Sequence, residues 1–265
     1  MTGFPPLGFR ALSMWLGLPV LWLVLRVQRV PFAVARRDWR ELGALTLTNM
    51  LVWHVLAILA VQALSSGRTA ILGYTMPIFS ALWGVAVFHE RLRSRHVAGI
   101  VAAAVGVSLL LWHEVGTLTG SPWAAVGMLV AAAVWALGTQ QMRRTRIDAP
   151  TLAIVFWMTL LATLFMTAWT VLFERDRWVL PNAATAGAIV YNAVLIFGFA
   201  QAIWLVMARN LPPVASSMSV MLIPVLGTLS GAWFLGEQLH WQDGAAIVLV
   251  LLAIASVMWP ARQPA

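Results

Sequence analysis

Two stretches of this 265-residue chain decide how it folds: residues 69–92, TAILGYTMPIFSALWGVAVFHERL, and residues 216–239, SSMSVMLIPVLGTLSGAWFLGEQL. Each is an apolar run with a proline, a glycine seven residues later, a glutamate six residues beyond that, and a leucine two residues further on. Without gaps, at an offset of 147, residues 63–112 and 210–259 share ten identities. The placement of these uncommon residues indicates an internal repeat. The matched residues are Pro77, Gly84, Glu90 and Leu92, and Pro224, Gly231, Glu237 and Leu239.

The composition is that of a membrane protein. Apolar residues make up 61% of the chain and charged residues only 10%, against about 25% charged residues in soluble domains, which excludes a water-soluble enzyme. A helix crosses the bilayer core with about 20 apolar residues. The sequence therefore predicts an all-α polytopic membrane protein with nine visible spans. They are Gly8–Val27, Leu42–Leu64, Thr69–Phe88, Val97–Trp112, Trp123–Met142, Thr151–Phe173, Thr185–Ala208, Val214–Leu235 and Gly244–Trp259.

The basic residues indicate the orientation of these spans. All 17 are arginines, and they fall in short runs between apolar stretches rather than on one basic face, so no nucleic-acid partner is expected. Thirteen arginines lie on one side of the predicted membrane and four on the other. Because cytoplasmic loops carry the excess of basic residues, we expect the C-terminus to be cytoplasmic.

The two copies of the repeat begin on opposite sides of the membrane, as in the inverted repeats of secondary transporters. We assign the first repeat to residues 1–113 and the second to 122–260. Pro6 aligns with Pro150, but the helix Trp123–Met142, which precedes Pro150, has no counterpart ahead of Pro6. We therefore expect one further helix before residue 1, which gives an inverted five-plus-five arrangement of ten helices.

The helix order and the two proline–glycine–glutamate–leucine blocks resemble the drug/metabolite transporter superfamily, in particular its EamA-type ten-helix transporters. Within that superfamily the tryptophan-rich sequence is most similar to the YddG-type aromatic amino-acid exporters of the bacterial inner membrane. The resemblance implies a basket of helices around a central cavity, alternating access and export of small metabolites. It implies a small-molecule substrate and the lipid bilayer as partners, and we expect a monomer or at most a weak dimer.

Polar residues inside the spans are the candidates for substrate binding. No acid or arginine falls at the middle of a span, and since such groups usually form proton relays, we expect an uncoupled or weakly coupled carrier for neutral or zwitterionic solutes. His54 lies midway along its span and pairs with Gln201 at the offset of 147. Residues related in this way are expected to approach each other near the pseudo-twofold axis.

Gln201 belongs to a partly polar face of the predicted span Thr185–Ala208. The spacing of 4, 3, 4 and 3 residues predicts one cavity-lining helical face, made of Gly187, Tyr191, Val194, Gly198 and Gln201. The matching stripe is Ala44, Leu47, Leu51 and His54, with Asn49 and Trp53 at its edge. The predicted substrate-binding residues are His54, Asn49, Trp53, Tyr74, Tyr191, Gln201, Trp135 and Trp204, and Trp157 is a further deep tryptophan. Each could instead hold helices together or anchor at the interface.

The proline blocks predict hinges. A proline in mid-helix removes a backbone hydrogen bond and clashes with the carbonyl four residues back, so Pro77 and Pro224, with Gly84 and Gly231 beside them, are candidate hinges or static kinks. Glu90 and Glu237, followed by Leu92 and Leu239, stand at helix junctions as caps or loop locks.

Other functions stay open. These are proton-coupled efflux of drugs or amines, nucleotide-sugar-like exchange, an assembly subunit and an intramembrane enzyme. The spans hold no HExxH, no Gly-x-Ser-x-Gly and no Ser/Lys or Asp pair. We therefore expect no enzymatic activity, no catalytic residue, no metal site and no cofactor.

Overall fold

The computed structural model describes residues 4–64, 69, 72–90, 94–110 and 121–212, with separate positions at 220, 222, 223, 225, 226, 229, 233, 241, 244, 245, 247–249, 251 and 252. In these ranges we number seven helices of eleven residues or more: α1 Pro6–Val27, α2 Arg36–Ala63, α3 Met76–Ala86, α4 Ser94–Leu110, α5 Pro122–Arg143, α6 Thr151–Phe173 and α7 Ala183–Asn210. The described part contains no β-strand, so the predicted all-α fold is confirmed.

Five of these helices are long and apolar enough to cross a membrane, namely α1, α2, α5, α6 and α7. Helix α3 and the apolar part of α4 are shorter. The predicted spans Val214–Leu235 and Gly244–Trp259 lie mostly outside the described residues, as do Pro224, Gly231, Glu237, Leu239 and Leu92.

The span predicted at Thr69–Phe88 is interrupted. Tyr74 and Thr75 form a turn, and α3 begins only at Met76. Pro77 therefore lies in the first turn of a helix rather than in the middle of one, which corrects the sequence prediction. Backbone N–H groups in the first turn of a helix have no intrahelical acceptor, so the lack of an N–H in proline costs the helix no hydrogen bond there. Whether this break acts as a hinge stays a prediction.

The chain forms two compact units, each drawn from both halves of the sequence. The first unit comprises residues 1–59 and 141–210 and therefore holds α1, α6, α7 and most of α2. Within it α1 packs along α6 and α7, and α6 also packs against α2. Its core includes fully buried Met14, Met158 and Phe197. Residues from both predicted repeats thus form one core.

A glycine sets the closest approach of α1 to α7. A Cβ atom at Gly17 would lie 2.8 Å from the Cβ of Phe197 and 2.9 Å from the carbonyl oxygen of Ala193. Three residues further along α1, Val20 fills the space beside Gly198 of α7, since a Cβ there would lie 2.7 Å from Val20 Cγ1. Small residues at such crossings let helix backbones approach closely.

The second unit comprises residues 60–140 and 211–265, and therefore holds α3, α4 and most of α5. Two hydrogen bonds join α3 to α5. The indole N–H of Trp83 donates to the carbonyl of Ala133 at 2.8 Å, and the amide Nε2 of Gln140 donates to the carbonyl of Ser80 at 3.0 Å. Donating to backbone carbonyls in this way satisfies buried polar groups between helices.

Candidate functional site

Two helices of the first unit change their hydrogen-bonding pattern at corresponding places. Residues Leu47–Leu51 of α2 and Asn192–Ala200 of α7 are π-helical. At the repeat offset of 147, Leu47–Leu51 falls on Val194–Gly198, inside the α7 segment. π-Helical turns are rare and are concentrated at functional sites. Their recurrence in both repeats marks this level of the first unit as the candidate site.

The π segment of α7 also corrects the predicted polar face. Tyr191 is 56% exposed, whereas Gly198 is buried against Val20. The spacing argument assumed an α-helix throughout, but a helix with i→i+5 hydrogen bonds has more residues per turn. Residues seven apart across the segment therefore do not share a face. Tyr191 and Gly198 separate for this reason.

The same change affects α2. Leu47 is exposed and His54, which was predicted to share its face, is buried with only 5% of its surface exposed. The His54 ring meets the ring of Phe197 edge-on, with centroids 5.2 Å apart. Phe197 lies four residues before Gln201 on α7. The two repeat-related helices thus meet at His54, through Phe197 rather than through a hydrogen bond between His54 and Gln201.

His54 is a buried polar side chain without a hydrogen-bond partner. Neither Nδ1 nor Nε2 has one among the described residues. A buried polar group left unpaired destabilises the fold by about 1–3 kcal/mol. Such a group in a folded protein calls for an explanation, and a role in binding a ligand is one.

Arg10 lies at the same place and was not among the predicted site residues. It belongs to the second turn of α1, and its guanidinium carbon lies 5.8 Å from the centroid of the Phe197 ring. Its Nε is buried without an acceptor in the described part of the chain. The sequence placed Arg10 near a helix end, where arginines commonly extend to the interface, and linear position carries no signal that the side chain turns inward.

Asn49 is the other predicted residue buried here, with 1% of its surface exposed. Its Nδ2 donates to the carbonyl of Leu45 at 3.1 Å, while Oδ1 lacks a partner among the residues described. The neighbouring Thr48 hydroxyl contacts Gln141 Oε1 at 2.9 Å. The π segment of α2 thus presents an unsatisfied amide oxygen as well as a threonine tied to α5.

The remaining predicted residues divide between the two units. Trp53, Tyr191, Gln201 and Trp204 belong to the first unit together with His54 and Asn49, and Tyr74 and Trp135 belong to the second. Trp53, Gln201 and Trp204 are partly buried, and Trp204 packs on the core. Tyr74 lies in the turn before α3. The role of each in substrate binding stays a prediction.

Trp157 has a structural partner. Its indole N–H donates to the carbonyl of Phe32 at 2.9 Å, and its ring meets those of Phe32 and Trp39 at centroid distances of 5.3 Å. The side chain therefore fastens the loop between α1 and α2 to α6. A recess of about 420 Å³ opens nearby, lined by Trp15, Leu18, Pro19, Trp22, Phe156 and Leu160. None of the predicted substrate-binding residues lines this apolar recess.

The Gly84–Glu90 part of the repeated block forms a tight junction after α3. The backbone N–H of Glu90 donates to the carbonyl of Gly84 at 2.8 Å. A Cβ at Gly84 would lie 2.8 Å from Glu90 Oε2 and 3.1 Å from Gln140 Nε2. His89, between them, has a positive φ of 54°. The glutamate folds back over the glycine, and whether it acts as a cap or a loop lock stays a prediction.

Charged side chains close both ends of the first unit, and sequence reasoning missed them. Buried Glu174 accepts from the backbone N–H of Gly8 at 2.9 Å and from the Thr170 hydroxyl at 3.0 Å. A carboxylate at a helix N-terminus is favoured by the unpaired N–H groups and the helix dipole. At the end of α7, Arg209 donates to the carbonyl of Ala149 at 2.8 Å and to the Thr151 hydroxyl at 3.1 Å. Glu174 and Arg209 are charged, and their hydrogen bonds hold helix ends in place.

The comparison with known families decides what kind of protein this is. The model of the EamA-like transporter family matches residues 1–112 and again residues 122–259. The chain belongs to the EamA-like transporter family. This membrane transporter therefore carries the family sequence twice, over ranges that include the two proline–glycine–glutamate–leucine blocks.

Several relatives of the EamA-like chain are themselves named as transporters. It is 24% identical over 253 residues to the uncharacterized transporter YoaV of Bacillus subtilis, covering 94% of this chain and 85% of YoaV. It is 26% identical over 208 residues to the uncharacterized inner membrane transporter YedA of Escherichia coli, covering 76% of this chain and 66% of YedA. One solved crystal structure superposes with a TM-score of 0.82 at 20% identity, over 97% of this chain and 88% of the other. That likeness shows a shared fold.

Proposed function

We propose that this EamA-family transporter exports small neutral or zwitterionic metabolites, above all aromatic or other large neutral amino acids, by alternating access. The observation that carries the proposal is the cluster of His54, Phe197 and Arg10. It combines unpaired nitrogen atoms with an aromatic ring inside a bundle of membrane-spanning helices. Binding sites for small molecules are mostly apolar, with a few polar groups that fix orientation.

The charges of the first unit favour this substrate class over cationic drugs or amines. Its buried carboxylate, Glu174, is already bonded to the start of α1. Glu41, at the start of α2, accepts from the Thr145 hydroxyl at 2.6 Å and from the Arg146 N–H at 3.0 Å. Neither acid is placed to bind a cation or relay a proton across a span, and the unpaired charge at the site is positive.

We infer that the break ahead of α3 and the π segments supply the flexibility for alternating access. Backbone groups that leave the i→i+4 ladder can change partners without unfolding a whole helix. The turn at Tyr74 and Thr75 separates α3 from the residues before it, and the π segments interrupt the α-helical hydrogen bonding of α2 and α7.

A counterflow assay in proteoliposomes tests the proposal. Purified protein is reconstituted into liposomes without ATP. The proteoliposomes are preloaded with one solute at a time from a panel of amino acids, amines and nucleotide sugars, and exchange is measured with and without a pH gradient. We expect exchange of aromatic amino acids that needs no gradient and that His54→Ala abolishes, while Asp176→Asn, in an exposed loop, retains it. Gradient-dependent amine flux, or flux of nucleotide sugars alone, would replace this proposal with one of the alternatives. No flux for any solute would refute it.

A further inference from the structure

We propose that Arg10 and His54, both against the ring of Phe197, form a subsite that binds the carboxylate of the transported solute. This inference rests on the proposed function and names the group by which the substrate is recognised. The ligand class is an α-amino acid or another monocarboxylate whose apolar side chain can lie against the aromatic ring.

The positive charge of Arg10 is the first feature that points to an anion. Arg10 forms no ion pair with any carboxylate among the described residues, and the ion pair found there joins Arg37 to Asp38 at the start of α2. Its Nε is buried and lacks an acceptor there. Burying a guanidinium without a counter-charge is unfavourable in a protein interior and in a membrane. An anion bound at Arg10 would remove that penalty.

The neighbouring imidazole of His54 adds a second hydrogen-bonding group. His54 and Arg10 both lie within 6 Å of the Phe197 ring centre, at 5.2 Å and 5.8 Å. A neutral histidine carries one N–H donor, and neither ring nitrogen of His54 is engaged within the described part of the chain. The site therefore offers N–H donors from both Arg10 and His54, and its one acceptor among these two side chains is the second imidazole nitrogen.

The shape of the guanidinium group also suits a carboxylate. A guanidinium presents parallel N–H groups that match the two oxygens of a carboxylate, and it also stacks on aromatic rings. Arg10 stacks on Phe197 and Phe197 is fully buried, so the ring fixes the position of the fork. The same ring provides an apolar wall next to the charge, which suits a carboxylate attached to an apolar body.

A lipid phosphate offers the same anionic oxygen chemistry, and Arg10 lies in the second turn of α1, near a helix end. An arginine that serves a headgroup extends outward from the helix. Arg10 instead has its Nε buried and its guanidinium over an interior ring. We therefore assign the site to the solute, and the experiment includes an arm for lipid.

The test compares two probes that differ only in the carboxyl group, phenylalanine and phenylalaninamide. Binding to the purified full chain in detergent is followed by intrinsic tryptophan fluorescence, which needs no transport. We expect wild-type protein to bind phenylalanine at least about tenfold more tightly than the amide, as a charge-assisted hydrogen-bonded pair predicts. Arg10→Gln should reduce the preference to about threefold or less, and Arg10→Lys should retain part of it. The matched control is Arg26→Gln, because Arg26 stacks on Trp22 of the same helix at 5.1 Å and should keep the wild-type ratio.

Several outcomes would overturn the subsite. One is an unchanged ratio in Arg10→Gln, and another is an equal loss of affinity for both probes. Wild-type protein that binds both probes equally, or neither, also overturns it, and this arm needs no variant to fold. If native mass spectrometry shows that Arg10→Gln loses bound phosphatidylglycerol while the ratio stays at wild-type level, the arginine serves lipid instead. Preferential binding of phenylalanine without any flux would leave the subsite standing and refute the proposed function.

Discussion

Replacing Gly17 with alanine should destabilise the first unit, and the size of the effect follows from distances. The new Cβ would lie 2.8 Å from Phe197 Cβ and 2.9 Å from the Ala193 carbonyl oxygen. Carbon atoms pack best at about 3.5–4.0 Å, so α1 and α7 must separate by about 1 Å. Both opposing atoms belong to or adjoin the backbone and cannot rotate away. Overpacking of this kind costs about 1–3 kcal/mol.

The matched control is Gly187→Ala, because a Cβ at Gly187 meets nothing within 4 Å. Both substitutions gain the higher helix propensity of alanine, about 1 kcal/mol. Gly187→Ala should therefore raise the free energy of unfolding by about 0.5–1 kcal/mol. For Gly17→Ala the overpacking outweighs the same gain, so the free energy of unfolding should fall by up to about 2 kcal/mol. Gly198→Ala should be partly rescued by Val20→Ala, since the nearest obstacle is Val20 Cγ1 at 2.7 Å.

Unfolding in mixed micelles with increasing SDS, followed by tryptophan fluorescence, measures these differences. Fluorescence-detected size exclusion after heating gives an independent ranking of the same variants. If Gly17→Ala is as stable as Gly187→Ala, the close approach of α1 to α7 is not as described here, and the placement of Phe197 against His54 and Arg10 loses its support.

Two further predictions concern the ends of the first unit. Glu174→Gln should lower the free energy of unfolding by about 1–2 kcal/mol, because the amide loses the charge that the start of α1 favours. The control is Asp176→Asn at an exposed neighbouring residue, which should change the free energy of unfolding by less than about 0.5 kcal/mol. Equal effects of the two substitutions in the same SDS titration would contradict the role given to Glu174. Trp157→Phe keeps an aromatic ring but loses the hydrogen bond to the Phe32 carbonyl, so it should cost about 1 kcal/mol and speed tryptic cleavage in the loop between α1 and α2. Trp169→Phe, whose ring lies beside other aromatic rings on α6, is the control, and identical cleavage rates in both variants would refute the role of Trp157.

Much of the fold could be predicted because apolar length alone predicts a membrane-spanning helix. The spans predicted at Gly8–Val27, Trp123–Met142 and Thr151–Phe173 correspond to α1, α5 and α6 within two residues at each end. The helices that carry His54 and Gln201 meet through Phe197, and a direct approach of His54 to Gln201 stays a prediction. The span predictions succeeded because they depend on apolar length, which the sequence carries directly.

The details of the site could not be predicted in the same way. Helical periodicity assumes 3.6 residues per turn. No residue type in the sequence predicts the π segment that places Tyr191 and Gly198 on different faces of α7. The inward turn of Arg10 depends on the position of Phe197, which is almost two hundred residues away in sequence. Pro77 was expected in the middle of a helix, but local sequence did not show that a turn at Tyr74 and Thr75 precedes it and that a new helix begins at Met76.

The two-unit arrangement constrains how the protein can be made. The ribosome synthesises α1 and α2 before their packing partners α6 and α7, which follow only after residues 60–140 of the other unit. The early helices must therefore wait in the bilayer, without their final neighbours, until about residue 210 has been inserted. The first unit can therefore be completed only after residue 210 has been synthesised, and the second only after residues that follow it. Until then the surface of α1 around Gly17 lacks its partner on α7, and transiently exposed surfaces of this kind favour misassembly in large proteins.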